Sequence, residues 1–172
     1  MKLDTKAFDF KPLSSEYIDE IVEMQVVTLG QIDNPDILRE NSYEMLLACL
    51  NPPHHTVGAF YEDDLAAFAV LYIPDDGIEN LAKSLEGIDV AGLMSANFKL
   101  VIVKPEYRGN GLQVTLSAQI EECARELGAG VLCATVSPDN AYSIHNIEKV
   151  GFIFNRTMDK YGSIRNVYYK LL

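Results

Sequence analysis

The sequence has few basic residues and no long apolar run. Its 14 Lys and Arg stand against 25 Asp and Glu, which gives a net charge of -11. A nucleic-acid-binding protein needs a basic patch, and none is visible along the chain. No apolar stretch approaches the roughly 20 residues that span a bilayer, and the first residues lack the apolar core of a secretory signal. We therefore expect a cytoplasmic protein without nucleic-acid or membrane partners.

Cysteine is scarce as well. The three cysteines, Cys49, Cys123 and Cys133, are odd in number and widely separated. No two of them have the spacing of a zinc-ligand pair or of a redox motif. The simplest prediction is that they are buried thiols in a reducing cytosol and that the chain has no metal site.

The length and composition indicate one globular domain. The chain has 172 residues, of which 48% are hydrophobic and 23% are charged, and this is the ordinary range for a folded domain. No internal repeat, low-complexity tract or linker divides it. We therefore predict a single domain over residues 1–172.

The hydrophobic pattern predicts an α/β (α+β) fold. Apolar runs between turn residues predict strands, and apolar residues at helical spacing predict helices. The predicted strands cover residues 8–13, 56–61, 65–73, 96–103, 131–136, 153–158 and 166–171. The predicted helices cover residues 14–29, 36–50, 111–127 and 138–150, with N-caps at Ser14 and Ser137 and a further short helix at 79–85. This order favours a mixed central sheet with helices on both faces.

The acidic charge is concentrated in one half of the chain. Residues 1–96 contain 5 basic and 18 acidic side chains, whereas residues 97–172 contain 9 and 7. An acidic surface usually serves solubility. The alternative is a two-part site, in which the C-terminal half holds an anionic ligand and the N-terminal half attracts a cationic one.

A glycine turn follows the buried strand that ends at Val103 and leads directly into a helix. The turn holds Arg108, Gly109, Asn110 and Gly111. Glycine lets the backbone approach a ligand closely, and a helix N-terminus offers free N–H groups with a partial positive charge. Together with the Arg108 guanidinium, this arrangement suits phosphate. It is neither a dinucleotide fingerprint, which needs a third glycine, nor a P-loop, which needs Gly-Lys-Ser/Thr.

A second motif begins about thirty residues later. It comprises Asn140, Ser143, Lys149, Gly151 and Phe152, in a segment that predicts a helix and then a strand. With the glycine turn, which follows the pattern Arg/Gln-x-x-Gly-x-Gly/Ala over its first five positions, this motif resembles the GCN5-related N-acetyltransferase (GNAT) family. The specific match covers roughly residues 97–152, and the rest of the chain agrees in the order of its elements.

The resemblance implies the acyl-CoA N-acyltransferase fold, with acetyl-CoA as the acyl donor. In that fold the fourth and fifth strands of a twisted mixed sheet splay apart to admit the pantetheine arm. The glycine turn then holds the pyrophosphate. The implied acceptor is a primary amine, on a small cationic molecule or a protein, that attacks the thioester directly. The implied cofactor-binding residues are Val101, Val103, Arg108, Gly109, Asn110, Gly111, Leu112, Gln113, Asn140 and Ser143.

Three positions depart from the family pattern. Gln113 stands where the pattern has Gly or Ala, so its side chain must point away from the phosphates. Ile147 replaces a Tyr that often serves as general acid, and Asn97 replaces a Glu that some members use as base. Neither replacement can transfer a proton at neutral pH, although Asn97 could hold a water. The remaining candidates for a role in catalysis are Ser143, Asn97 and Tyr161.

Two other functions remain open. The same fold could bind acyl-CoA without catalysis, and the residues at Asn97 and Ile147 favour this alternative. An interaction protein could instead use the acidic surface to dock a basic partner, with salt-sensitive binding. The loop 28–35 and the long irregular segment 74–95 could contact the acceptor. That segment or the terminal strands could also form the interface of a homodimer.

Overall fold

Seven strands form one mixed sheet in the computed structural model, which describes residues 2–172. Met1, the first residue of the predicted domain, lies outside the described residues. The strands are β1 (Phe8–Pro12), β2 (His55–Tyr61), β3 (Asp64–Tyr72), β4 (Ser95–Val103), β5 (Val131–Val136), β6 (Ile153–Lys160) and β7 (Ser163–Leu171). Their order in the sheet is β1-β2-β3-β4-β5-β7-β6. Neighbouring strands are antiparallel except β4 and β5, which are parallel.

Four α-helices pack on the two faces of this sheet. They are α1 (Ile18–Gly30), α2 (Tyr43–Cys49), α3 (Leu112–Glu126) and α4 (Ala141–Lys149). Successive side chains of a strand point to opposite faces, so neighbouring residues of β3 contribute to different cores. Phe68 packs with Ile21 of α1 and Leu46 of α2, whereas Ala67 packs with Leu116 of α3. The predicted fold class, a mixed sheet with helices on both faces, is confirmed.

The parallel strands β4 and β5 pair over only part of their length. Three residue pairs join them, Ser95 with Val131, Ala96 with Leu132 and Asn97 with Cys133. Beyond these pairs β4 continues to Val103 and β5 to Val136 without further pairing. A gap therefore opens between the two strands towards their C-terminal ends. This is the splay that the family resemblance implies.

The helix predicted over 36–50 is much shorter. It begins only after Ser42, whose side chain accepts a hydrogen bond from the Met45 N–H at 3.1 Å. The preceding backbone is held by the buried side chain of Gln25, which accepts from the Asn41 N–H at 3.0 Å and donates to the Asn41 carbonyl at 2.9 Å. Asn41 therefore finds its backbone partners outside any helix. The predicted helix over 36–42 is wrong for this reason.

Two predicted N-caps are also wrong. Ser14 makes no capping hydrogen bond, and a single 3-10 turn, Ser15–Tyr17, precedes α1. The last helix starts at Ala141 rather than at 138, because the Ser137 carbonyl accepts from the Asn140 N–H at 3.0 Å in a turn. Asn140 is the actual N-cap.

The irregular segment 74–95 contains a 3-10 turn, Leu81–Ser84, where the sequence predicted a short helix at 79–85. The segment is anchored because Leu81 packs against Val131, Cys133 and Tyr169. It therefore forms a fixed wall beside the paired end of β4 and β5.

Strand β7 begins three residues before its predicted start. Tyr161 and Gly162 both have positive φ, 59° and 78°, and they join Lys160 to Ser163 in a tight two-residue turn. Turns of this kind match the twist of the flanking strands. The turn places Tyr161 at one end of the gap between β4 and β5.

Candidate active site

The glycine turn is built as an anion site. Gly109 and Gly111 have φ of 80° and 74°, a left-handed conformation that favours glycine. The first hydrogen bond of α3 runs from the Thr115 N–H to the Gly111 carbonyl at 3.1 Å. The N–H groups of Leu112 and Gln113 therefore have no acceptor within the helix. They lie where the positive end of the helix dipole is strongest.

Arg108 lies at the same turn with an exposed side chain. Its Nε donates to the Val103 carbonyl at 3.3 Å, and one terminal nitrogen donates to Gln31 Oε1 at 3.2 Å. No carboxylate within residues 2–172 forms an ion pair with it. The guanidinium is therefore held in place at the end of β4 and keeps its charge available for an anion.

A cleft of about 170 Å³ extends from this turn. The loop after α1 closes it on one side with Ile37 and Leu38, and Tyr142 of α4 closes it on another. The cleft brings together nine of the ten predicted cofactor residues, namely Val101, Val103, Arg108, Gly109, Gly111, Leu112, Gln113, Asn140 and Ser143.

Asn110 is the exception. Its side chain is buried, and its Oδ1 accepts from the Leu3 N–H at 2.7 Å while its Nδ2 donates to the Tyr107 carbonyl at 3.0 Å. The Asn110 side chain thus ties the N-terminal segment to the turn. Asn110 can therefore contact a ligand at the turn only through its backbone.

Gln113 fits the turn because its side chain is drawn towards α4. Its Oε1 accepts a hydrogen bond from Asn146 Nδ2 at 3.1 Å. Asn146 is buried on α4 and was not among the predicted site residues. A buried Asn one helical turn after Ser143, on the side facing α3, is the signal that could have identified it.

The second motif supplies the far wall of the cleft. Asn140 Oδ1 caps α4 by accepting from the Ser143 N–H at 3.0 Å, and the Asn140 amide nitrogen makes no hydrogen bond within residues 2–172. Ser143 is half-buried and lines the cleft, whereas Ile147 is a buried core residue that contributes an apolar wall to the gap between β4 and β5. The family's position for a general acid is therefore filled by a core side chain, and Ser143 is the nearest hydroxyl on that face.

The gap between β4 and β5 continues the cleft. A cavity of about 90 Å³ there shares Val101, Gln113 and Ser143 with the cleft. It leads to a third cavity of about 80 Å³, with which it shares Lys99 and Thr135. One passage therefore runs from the glycine turn, through the splayed strands, to the end where β4 and β5 still pair.

The third cavity, which we call the charged cavity, is dominated by ionisable side chains. It is lined by Arg39, Asn41, Glu79, Asn97, Lys99, Thr135, Tyr161, Arg165 and several apolar residues. The predicted catalytic candidates are thus divided: Asn97 and Tyr161 lie together here, and Ser143 lies along the passage. Arg39, Glu79, Lys99 and Arg165 were not predicted as site residues, because no motif links four such distant positions.

Glu79 is the centre of an ion-pair network in the charged cavity. Its two oxygens accept from Arg39 at 2.8 and 3.2 Å, and one of them lies 3.3 Å from Lys99 Nζ. Tyr161 donates to the same carboxylate at 3.4 Å, and its ring stacks under the Arg39 guanidinium at 3.7 Å. Burial alone would raise the pKa of Glu79, but the hydrogen bonds and charges of Arg39 and Lys99 lower it below its ordinary value. Glu79 is therefore an ionised, fully engaged carboxylate.

Tyr161 and Asn97 act as hydrogen-bonding groups in this cavity. Burial and the Glu79 charge raise the pKa of Tyr161 well above its ordinary value, so its hydroxyl stays protonated. Asn97 Nδ2 donates to the Glu79 carbonyl, which fixes the orientation of the amide. Asn97 Oδ1 is buried and has no hydrogen-bond partner in the part of the chain described.

The described residues show neither a metal site nor a membrane span. No group of three or more His, Cys, Asp or Glu within residues 2–172 is arranged to hold a metal ion. None of the helices over the same range is long and apolar enough to cross a bilayer.

A mixed sheet that splays beside a glycine turn, with a helix N-terminus behind that turn, defines the acyl-CoA N-acyltransferase class. Residues 18–152 match the model of the family described as Acetyltransferase (GNAT) family. The chain therefore belongs to the GNAT family of acetyltransferases. This confirms the predicted family, an acyltransferase enzyme, and acetyl-CoA as its acyl donor. None of the curated proteins matches the chain.

Several solved structures share this fold. YncA of Salmonella typhimurium, a proposed acetyltransferase solved with its cofactor acetyl-CoA, is 18% identical, with a TM-score of 0.71 over 96% of this chain and 94% of that one. A ribosomal-protein-alanine N-acetyltransferase of Brucella melitensis is 20% identical, with a TM-score of 0.70 over 95% and 99%. Ard1 of Thermoplasma volcanium is 15% identical, with a TM-score of 0.72 over 96% and 98%. At these identities the likeness supports the fold alone.

Proposed function

We propose that this protein transfers an acetyl group from acetyl-CoA to a primary amine by direct attack. The observation that carries the proposal is the single passage from the glycine turn to the charged cavity, with the unpaired ends of β4 and β5 along its middle. The glycine turn at one end suits the pyrophosphate of the donor. The narrow middle, where the edges of β4 and β5 are free, suits the pantetheine arm, and the polar far end suits the acceptor.

The residues of the turn and of β4 hold the donor. Arg108 and the N–H groups from Gly109 to Gln113 bind the pyrophosphate, since both a permanent cation and a helix N-terminus favour it. The backbone of Val101 and Val103 lies beyond the last pair with β5 and offers its hydrogen bonds to the pantetheine arm. The free Asn140 amide nitrogen donates to the same arm.

Positioning is the main contribution of this site to the reaction. The amine nitrogen attacks the thioester carbonyl carbon, a C–N bond forms, the C–S bond breaks, and a proton from the nitrogen ends on the CoA thiol. Because Ile147 offers no proton donor, Ser143 and water near it pass this proton. Holding both reactants in one passage supplies most of the rate increase that such a transfer needs.

The remaining predictions about partners and context stay proposals. The acceptor amine belongs to a small cationic molecule or to a protein. The chain acts as one domain, since every strand from β1 to β7 belongs to one sheet. Three free cysteines suit a reducing, cytoplasmic setting. A homodimer through the terminal strands stays a prediction as well.

A non-catalytic acyl-CoA-binding module is the second candidate. The specific observation in its favour is that Ile147 is buried in the core and that the amide of Asn97 stands at the usual position of a base. A module of this kind would bind acetyl-CoA tightly and release no CoA with any amine.

The test is calorimetric titration with acetyl-CoA and desulfo-CoA, followed by an assay of thiol release with a panel of primary amines. We expect both ligands to bind. Arg108→Glu should weaken binding at least about 10-fold, because it replaces a charge-assisted bond by repulsion. Arg125→Glu, the same charge change at the far end of α3, is the matched control. Unchanged binding and turnover in Arg108→Glu would refute the assignment, and tight binding without thiol release would favour the non-catalytic module.

A further inference from the structure

The charged cavity contains more positive than negative charge. Arg39, Lys99 and Arg165 line it, and Glu79 is the single carboxylate among its lining residues. Lys160 adds a further cation nearby, since its Nζ lies 5.5 Å from the Tyr161 ring. Glu79 is already shared by Arg39 and Lys99, so it neutralises one of the three lining charges. The cavity is therefore cationic, although the whole molecule is strongly acidic.

Arg165 is the lining cation that has no carboxylate partner. The residue is 5% exposed, and its one hydrogen bond within residues 2–172 runs from Nε to Ser163 Oγ at 3.1 Å. No carboxylate over that range forms an ion pair with it, and the nearby Asp36 is exposed. Burying most of an unpaired cation is costly, because the charge loses part of its hydration without a compensating partner. The terminal nitrogens of this guanidinium remain free to donate to a ligand.

Asn97 adds an unmet acceptor to the same cavity. Its Nδ2 is committed to the Glu79 carbonyl, which leaves the buried Oδ1 facing no donor of the protein. Buried polar atoms are nearly always satisfied, so an exception indicates a missing partner. Because Oδ1 has almost no accessible surface, an N–H group of a ligand would satisfy it only after a small shift of the cavity wall. The cavity thus lacks one anion and one N–H donor.

We infer that the acceptor is a primary amine that also carries a carboxylate, such as a free amino acid, with the carboxylate on Arg165 and the amine on the Asn97 side of the charged cavity. This inference rests on the proposed transfer of an acetyl group to a primary amine, and it replaces the cationic or protein acceptor named there with a small molecule that carries one charge of each sign. The planar guanidinium fork of arginine matches a carboxylate in two parallel hydrogen bonds. Lys99 and Arg39 add favourable charge around that pair. A polyamine would meet repulsion from the same three cations.

The experiment measures thiol release at saturating acetyl-CoA with matched acceptor pairs. Each free amino acid is compared with its own carboxamide, which keeps the amine and loses the negative charge. We expect kcat/KM for at least one amino acid to exceed that of its amide by about 10-fold or more, the loss expected when a buried charged donor is left unpaired. Amides or polyamines that react as well as any amino acid would overturn the inference and leave the proposed function standing.

Arg165→Gln tests the residue itself. In this variant the KM for the amino acid should rise at least about 10-fold, while the KM and the calorimetric affinity for acetyl-CoA stay unchanged. Arg165→Lys should recover part of the loss. Arg125→Gln, a cation of α3 paired with Glu121 on the surface, is the control and should behave as the unaltered protein.

Thermal unfolding separates a binding role from a structural one. A buried cation that is paired only when a ligand is bound destabilises the ligand-free protein. Arg165→Met should therefore unfold at the same temperature as the unaltered protein or at a higher one. A large fall in the unfolding temperature, with parallel rises in both KM values, would show a structural role and overturn the inference. Failure of all amino acids in a protein that binds acetyl-CoA would overturn it as well. Failure to bind acetyl-CoA would instead refute the proposed function.

Discussion

The backbone of Gly109 is left-handed, with φ of 80°, and an added Cβ there would have no heavy atom within 4 Å. A substitution at this residue therefore tests backbone strain without any clash. We expect Gly109→Ala to lower the free energy of unfolding by about 1–2 kcal/mol and to weaken acetyl-CoA binding, because the turn must distort or store strain. Denaturant unfolding and calorimetry measure the two effects.

Gly30 is the matched control for this substitution. It ends α1, has no positive φ, and also has open space around an added Cβ. Gly30→Ala should leave stability unchanged or raise it slightly. If the two variants behaved alike, the conformation of Gly109 would not be the reason for glycine at the turn.

The lowered pKa of Glu79 makes the stability of the protein depend on pH. A carboxyl group whose pKa is lowered on folding adds stability above its unfolded pKa, and the protein loses that stability as the pH falls through the folded pKa. Burial opposes the shift, but the hydrogen bonds of Arg39 and the charge of Lys99 outweigh it. Glu79→Gln should therefore cost about 2 kcal/mol at neutral pH, the usual worth of a hydrogen bond to a charged group. The difference in the free energy of unfolding between the two proteins should shrink below pH 4. An equal loss at neutral pH and below pH 4, measured by denaturant unfolding, would contradict the ion-pair account.

At the scale of elements, the N-cap of α2 can be tested against a serine that does not cap. The Ser42 hydroxyl accepts from the Met45 N–H, whereas Ser14 makes no capping bond. We expect Ser42→Ala to lower the free energy of unfolding by about 1 kcal/mol, because the helix start loses its acceptor. Ser14→Ala should change it by less than about 0.5 kcal/mol. Equal losses in denaturant unfolding would mean that the cap of α2 contributes nothing specific.

The same two serines show how far the sequence could predict the elements. Strands were predicted well, because a short apolar run between turn residues, such as that of β3, is typical of a strand in the interior of a sheet. Helix starts were predicted poorly, because a polar residue before an apolar pattern signals a cap only when the backbone turns there. Gln25, a helix residue far along the chain from Ser42, holds the Asn41 backbone and delays α2. No local pattern contains that contact.

The candidate site divides in the same way. The glycine turn and the second motif are local in sequence, so the residues of the cleft could be predicted, and the structure brings nine of them together. The charged cavity could not be predicted. Arg39 precedes α2, Glu79 lies in the irregular segment, and Arg165 comes from the last strand. Each is an ordinary charged residue in its own segment, and they meet only because the loop before α2 and the irregular segment pack beside β4, β5 and β7.

At the scale of the whole molecule, the acidic surface and the cationic cavity act on different properties of an acceptor. The net charge of -11 attracts an approaching molecule that is cationic and repels one that is anionic. Salt screens this long-range force beyond a distance of about 10 Å. A buried ion pair in the cavity is screened much less. An amino acid, with one charge of each sign, therefore experiences little steering from the surface and strong attraction once inside.

Salt dependence consequently distinguishes the inferred acceptor from a cationic one. We expect kcat/KM for an amino acid acceptor, at saturating acetyl-CoA, to change less than about twofold between roughly 20 and 200 mM salt. A polyamine steered by the acidic surface should instead lose about 10-fold over the same range. Initial rates of thiol release at five salt concentrations measure both slopes, with Arg125→Gln as a control for an altered surface charge. A steep fall for every reactive amine would assign recognition to the acidic surface rather than to the charged cavity.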